Sequence, residues 1–320
     1  MRLPALLAIL TLAGCAPAPT TKPIANVAPV VVDQLLEDVR ILSADDMQGR
    51  LIGTPGSAKA RAYILDRFRQ IGISPLPGMD LENLFSVEHD GKTVIGANVV
   101  GFLPGTAGSD RTLLIMAHYD HLGVRDGQIY NGADDNASGV AAVLQLAASL
   151  RQTVPLHGVV VAIVDGEEEG FVGSRSLVRN PKFSETLGKV VLVVNVDMVS
   201  RSNQDELYVS GGYHFPFLMP LLEGIAKNAS VKLLLGHDRP EQGHDDWTDQ
   251  SDHFAFQEIH RPWVYFGVED HPDYHEPTDD FTMIPVDFFH RSMATIELAV
   301  RTFDRDLEAI AEEASSQAPH

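Results

Sequence analysis

The chain has 320 residues, of which 44 are acidic and 24 basic, for a formal charge of −20 at pH 7. A surface of that sign repels phosphate backbones and anionic headgroups, which argues against nucleic acid or acidic lipid as a partner. With a single cysteine, no internal disulfide can form, and any cross-linking must come from metal or core packing.

In chain order, Met1-Arg2 and the apolar run Leu3 to Leu12 have the charged start and apolar middle of a secretory signal. The run is too short to span a bilayer. It ends in Leu12-Ala13-Gly14-Cys15, which resembles the bacterial lipoprotein cleavage box. That resemblance implies a signal over residues 1–15 ending at a lipidated Cys15, with contact to the membrane through this lipid alone. Ala16 after the cysteine points to the periplasmic face of the outer membrane. Residues 16–32, rich in Pro, Ala and Thr, read as a flexible spacer.

The remaining chain, about 280 residues, suits one large domain. Apolar spacing predicts helices over Val32 to Leu42 and Ser57 to Ile71, with the Gly/Pro-rich stretch Gly49 to Gly56 as a loop between them. Asn98–Phe102, Thr112–Ala117, Val159–Val164 and Val190–Val196 are continuous apolar runs, as expected of strands buried on both faces. Helices are predicted over Ser138–Leu150, Phe171–Arg179, Pro216–Asn228 and Pro285–Asp306, with a further strand at Trp263–Val268. This alternation predicts a single α/β domain over 33–308, a mostly parallel central sheet covered by helices on both faces. Residues 309–320 read as a frayed tail.

Acids and histidines follow the predicted strands: His118-Tyr119-Asp120-His121, then Asp165-Gly166-Glu167-Glu168-Glu169, then Asp197. Ligands of such sheets gather outside the strands' C-terminal ends. Singly, each residue has an ordinary explanation: a surface histidine, a helix cap at Asp135 or Asn136, a solvated acidic turn. Together they place several carboxylates at one end of a sheet, an arrangement that is repulsive unless a cation neutralises it, so a metal site is the economical account.

The segments Gly49-Arg50 to Gly56, Ala117 to His121, Gly132 to Gly139, Glu167-Glu168 with Gly173-Ser174, Asn195 to Met198, Ser251-Asp252-His253, and Tyr274-His275 with Asp279 resemble the co-catalytic zinc aminopeptidases, metallopeptidase family twenty-eight. The resemblance spans about Leu42 to Phe303, with the segments in the family's order. It implies two zinc ions bridged by Asp135, one completed by His118 and Asp197 and the other by Glu168 and His275. Each ion would then have three protein ligands, as catalytic zinc requires. It further implies Glu167 as general base, Asp120 as the carboxylate behind His118, and Tyr274 as the hydroxyl that polarises the scissile carbonyl. Only the spacing to Gly173-Ser174 selects Glu167 and Glu168 from three consecutive glutamates, and a register shifted by one residue stays open.

The activity so implied is exopeptidase hydrolysis of peptides from their N-terminus by metal-bound hydroxide. One alternative is a glutaminyl cyclase-like acyl transferase with one zinc, whose members tend to carry an insertion where Glu168 here runs directly to Gly173-Ser174. Another is a non-catalytic binding module on the same fold. Asp252 and His253 match a segment that is structural or touches substrate; His121, His237, His244 and His271 have no matched role.

Overall fold

The structure, a computed structural model, describes residues 33–89 and 91–317. The signal, Cys15 and the spacer all lie outside the described residues.

Helix α1 (Gln34–Leu42) starts at Asp33, whose carboxylate accepts the Leu36 N–H, and α2 (Pro55–Ile71) starts at a Thr54 cap followed by proline. At both starts orphan N–H groups are met by a side chain or removed by the proline ring, and α2 thereby begins at Pro55, two residues before the expected Ser57 and inside the stretch read as a loop. Then come β1 (Glu82–His89), β2 (Lys92–Leu103), β3 (Thr112–His118), the short hairpin β4 (Gly123–Arg125) and β5 (Gln128–Tyr130), α3 (Gly139–Gln152) and β6 (Gly158–Val164). The chain continues through α4 (Val172–Arg179), α5 (Ser184–Lys189), β7 (Val190–Val196), β8 (Glu206–Ser210), α6 (Met219–Ala226) and β9 (Lys232–Leu235). It closes with α7 (Phe254–Gln257), β10 (Trp263–Gly267), α8 (Val286–Arg305) and α9 (Leu307–Gln317).

The strands form one sheet in the order β1-β2-β6-β3-β7-β10-β8-β9. β6, β3, β7 and β10 run parallel in its middle, whereas β1 and β2, β2 and β6, and β10 and β8 pair antiparallel. The sheet is therefore mixed at its flanks and parallel at its centre. Alternate residues of one strand serve opposite faces: Leu113, Ile115 and Ala117 pack with α1, α2, α3 and α8, while Leu114 and Met116 pack with Leu177 of α4 and Phe256 of α7. Burial on both sides is why these strands read as unbroken apolar runs.

The sequence did not signal β1, β8, β9 or the small hairpin. β1 alternates between exposed and half-buried residues, and β9 is short, so neither presents an apolar run. The tail expected to fray from 309 is corrected: α9 continues to Gln317 because Leu307, Ile310 and Ala311, at helical spacing, are buried in the main core. No helix among the described residues is long and apolar enough to cross a membrane.

The order of the central strands places the site. From β3 the chain moves to β6 on one side, then crosses to β7 on the other. Such a reversal opens a crevice beyond the strand ends, here above His118.

Candidate metal centre

Five stretches reach this crevice. His118 ends β3, Asp197 follows β7, and the turn after β6 carries Glu167 and Glu168. Asp135 lies in the irregular turn before α3, and His275 in the loop after β10. Two devices hold the loops in place. Asp279 accepts the backbone N–H groups of Asp134 and Asp135 at 3.0 and 3.1 Å. Arg50, wholly buried, donates Nε to Tyr119 O at 2.6 Å, Nη1 to Leu42 O and Asn131 O at 2.6 Å each, and Nη2 to Gly132 O at 2.9 Å.

The residues proposed as ligands converge. His118 Nε2 stands 3.2 Å from Asp197 Oδ1 and 3.4 Å from Asp135 Oδ1. The other Asp135 oxygen, Oδ2, is 3.1 Å from His275 Nε2, which is itself 3.5 Å from Glu168 Oε2. One carboxylate thus faces two histidines with two different oxygens, as a bridge must. Ligand atoms at zinc distances on a tetrahedron are about 3.3 Å apart along each edge; the observed spacings are of that size, and the donor set of nitrogen and carboxylate oxygen suits zinc. The residues fit two such ions.

Glu167 groups with His118 and Asp197 in the first half of the site. The two neighbouring glutamates are driven apart in acidity. Burial, joined by the charges of Glu168, Asp197 and Asp252, pushes Glu167 well above the usual carboxyl range against the pull of His118. Burial acts on Glu168 in the same sense, but hydrogen bonds from His121 and His275 outweigh it and hold that carboxyl far below its usual range. A carboxyl that stays ionised suits a ligand, and one that can carry a proton suits a base. Glu169 turns away to pair with His89 at 2.9 Å, so this geometry favours the register with Glu167 as base.

Asp120 sits differently from expectation. Its peptide oxygen is 3.3 Å from His118 Nδ1, whereas its carboxylate lies at 3.7 Å, too far for a hydrogen bond. The carboxylate instead accepts the N–H groups of Glu167 and Glu168 at 3.1 and 3.3 Å, fixing the turn that presents both glutamates. Behind Asp197 stands Ser251, whose hydroxyl donates to Oδ2 at 2.7 Å and accepts from Asn195 Nδ2 at 2.8 Å. Tyr274 stacks on His275 with ring centroids 4.0 Å apart. A second phenol, Tyr265, also lines the pocket.

Several residues emerge only here. His121, given no role from sequence, is drawn into the second half of the site with Asp135 and Glu168, a correction to that expectation. Trp247, Gln250 and Asp270 also line the pocket. His237 stacks on Trp247 at 3.8 Å and pairs with Glu269 at 3.1 Å, and His271 reaches Asp134 at 3.2 Å; both buttress loops. His244 is largely exposed. His253 packs beneath, its Nε2 2.9 Å from Trp247 O, and Asp252 is buried, its carboxyl pushed up to about 7 by that burial. The sequence signal for His121 is its place in the same turn as His118, and nothing in the sequence orients its ring.

The model of Peptidase family M28 matches residues 98–300. The alkaline phosphatase isozyme conversion protein of Escherichia coli K12 is 30% identical over 185 residues, 52% of this chain and 51% of that protein; the chain thus spans about half the length of this relative. Among solved structures, a glutaminyl cyclase of Porphyromonas gingivalis superposes with a TM-score of 0.66 at 18% identity, covering 86% of this chain and 98% of that one. A zinc aminopeptidase of Bacillus subtilis superposes with a TM-score of 0.65 at 16% identity, covering 83% of this chain and 94% of that one. Both likenesses are at the level of the fold.

Proposed function

The chain belongs to peptidase family M28, and we propose that it is a zinc-dependent exopeptidase that removes residues from the N-terminus of peptides with two ions at its centre. The observation that carries this is the composition of the pocket. His118, Asp135, Glu167, Asp197, Tyr274 and His275 line a cavity of about 60 Å³ together with Asp270, and among the described residues no lysine or arginine lines it. Of the two ends of a peptide, the lining suits the cationic one: an α-ammonium finds the Asp270 carboxylate, whereas a terminal carboxylate finds no lysine or arginine side chain to pair with among the described lining residues.

Zinc, when bound, supplies Lewis acidity toward the scissile carbonyl. The chain's own groups do the rest. Glu167 takes a proton from the attacking water and returns it to the leaving amine, and Asp120 keeps the Glu167-Glu168 turn in register while this happens. The Tyr274 hydroxyl donates to the developing oxyanion. Export and a lipid tether on Cys15 belong to the same proposal, supported by Leu12-Ala13-Gly14-Cys15.

The test compares short peptides with free and acetylated N-termini. Free amines are expected to be processed from that end, and Glu167→Gln to lower kcat by roughly 10²–10⁴-fold with zinc content unchanged. Equal cleavage of acetylated peptides, or release from the C-terminus, overturns the direction assigned; an active Glu167→Gln overturns the base.

A further inference from the structure

His121 is fully buried beside the metal centre, yet its two ring nitrogens are unequally served. Nδ1 lies 2.8 Å from Glu168 Oε1 and 3.6 Å from Asp135 Oδ2. Nε2 is buried and has no hydrogen-bond partner among the described residues. Space for the ring is built in: a Cβ on Gly132, where φ is +56°, would come within 2.6 Å of the His121 ring carbons.

Two roles fit the position, and the orphan nitrogen separates them. If Nδ1 held a metal, Nε2 would carry the proton, leaving a buried N–H with nothing to receive it. That is an expensive arrangement, and metal-bound histidines normally give their other N–H to a partner. His118 obeys this rule, with Asp120 O at 3.3 Å from Nδ1, and the His275 side chain is 38% exposed, so water can serve its remaining nitrogen. If instead Nδ1 carries the proton and donates to Glu168 Oε1, Nε2 is left as a bare acceptor, a lesser cost.

On the reading of a two-ion centre, we propose that His121 is a positioning residue that donates its Nδ1–H to Glu168 Oε1 and thereby turns Oε2 toward the metal position shared with Asp135 and His275. It tunes the affinity of that one position without binding the ion. The other position, formed around His118 and Asp197, does not depend on it.

The experiment measures both zinc affinities by chelator competition in wild-type protein, His121→Leu and His121→Asn. Asparagine can place its amide N–H where Nδ1–H stood. His121→Leu is expected to weaken one of the two ions by about 10–100-fold, the usual effect of removing the group behind a ligand, and to leave the other unchanged, while His121→Asn recovers most of the loss. In addition, ¹⁵N-histidine spectra of wild-type protein loaded with ¹¹³Cd should show His121 protonated at Nδ1 and with no cadmium coupling. Such coupling, an Asn variant no better than Leu, or a Leu variant with both affinities intact overturns the proposal, and the spectrum decides even if a variant fails to fold. A wild-type chain that binds no zinc would instead sink the functional reading itself.

Discussion

Replacing Arg50 by methionine tests how the crevice is held open. Its guanidinium makes four hydrogen bonds to the carbonyls of Leu42, Tyr119, Asn131 and Gly132, all within the buried interior. Methionine fills much of the volume but serves none of them. Gly132 O keeps the Ala137 N–H at 3.2 Å, so three carbonyls lose their donor; at about 1–3 kcal/mol each the loss is roughly 3 kcal/mol or more, a large part of a typical 5–15 kcal/mol total. The cost of removal exceeds the net worth of the native arginine, because burying its charge is itself unfavourable; burial lowers the Arg50 pKa to about 10 even with Asp135 and Asp279 nearby. Urea unfolding of the chelator-treated protein measures the loss directly. Tyr119 and Gly132 adjoin the turns that carry His118 and Asp135, so zinc affinity should fall as well. Arg50→Lys, with one compact ammonium, should lie between. An Arg50→Met protein within about 1 kcal/mol of wild type would refute the reasoning, since it would mean that water or a shifted loop serves those carbonyls at little cost.

Ser251→Ala removes the hydroxyl behind Asp197 and is expected to weaken one zinc ion by about 10–100-fold, read by the same chelator competition. The metal-free protein should become more stable as pH falls from 8 toward 5. Burial raises Asp165 and Asp252 to about 7 in the folded state, against about 3.9 unfolded. Between those values the folded chain binds more protons, so stability falls as pH rises through the window and is regained on acidification; thermal unfolding in chelator across this range checks the sign. Zinc in excess should raise the midpoint of unfolding in proportion to the logarithm of its concentration. Cys15→Ser should move the protein from the membrane fraction to the soluble fraction on cell fractionation; an unchanged distribution would refute the tether.

Much of the architecture was legible before any coordinates because the central strands are buried on both faces and their turns carry the chemistry. Val159–Val164 and Val190–Val196 can be nothing but interior strands, and the acids that follow them have no reason to cluster without a cation. The family resemblance pointed to His118, Asp135, Glu168, Asp197 and His275, and the fold brings these five side chains together. What the linear chain could not specify were relations between side chains from separate loops. Asp120 was expected to hold an imidazole; its carboxylate stands 3.7 Å from His118 Nδ1 and also takes two backbone N–H groups, which the sequence did not signal. His121 looked incidental until folding brought its Nδ1 against Glu168, and Arg50 was one residue of a Gly-rich loop until it met carbonyls some 70 to 80 positions away. The sequence by itself determined which elements are interior and where charge collects, because hydrophobic burial leaves a periodic local trace. Only the tertiary structure decided which nitrogen faces which oxygen, because hydrogen bonds act over a few ångströms between groups that the chain keeps far apart.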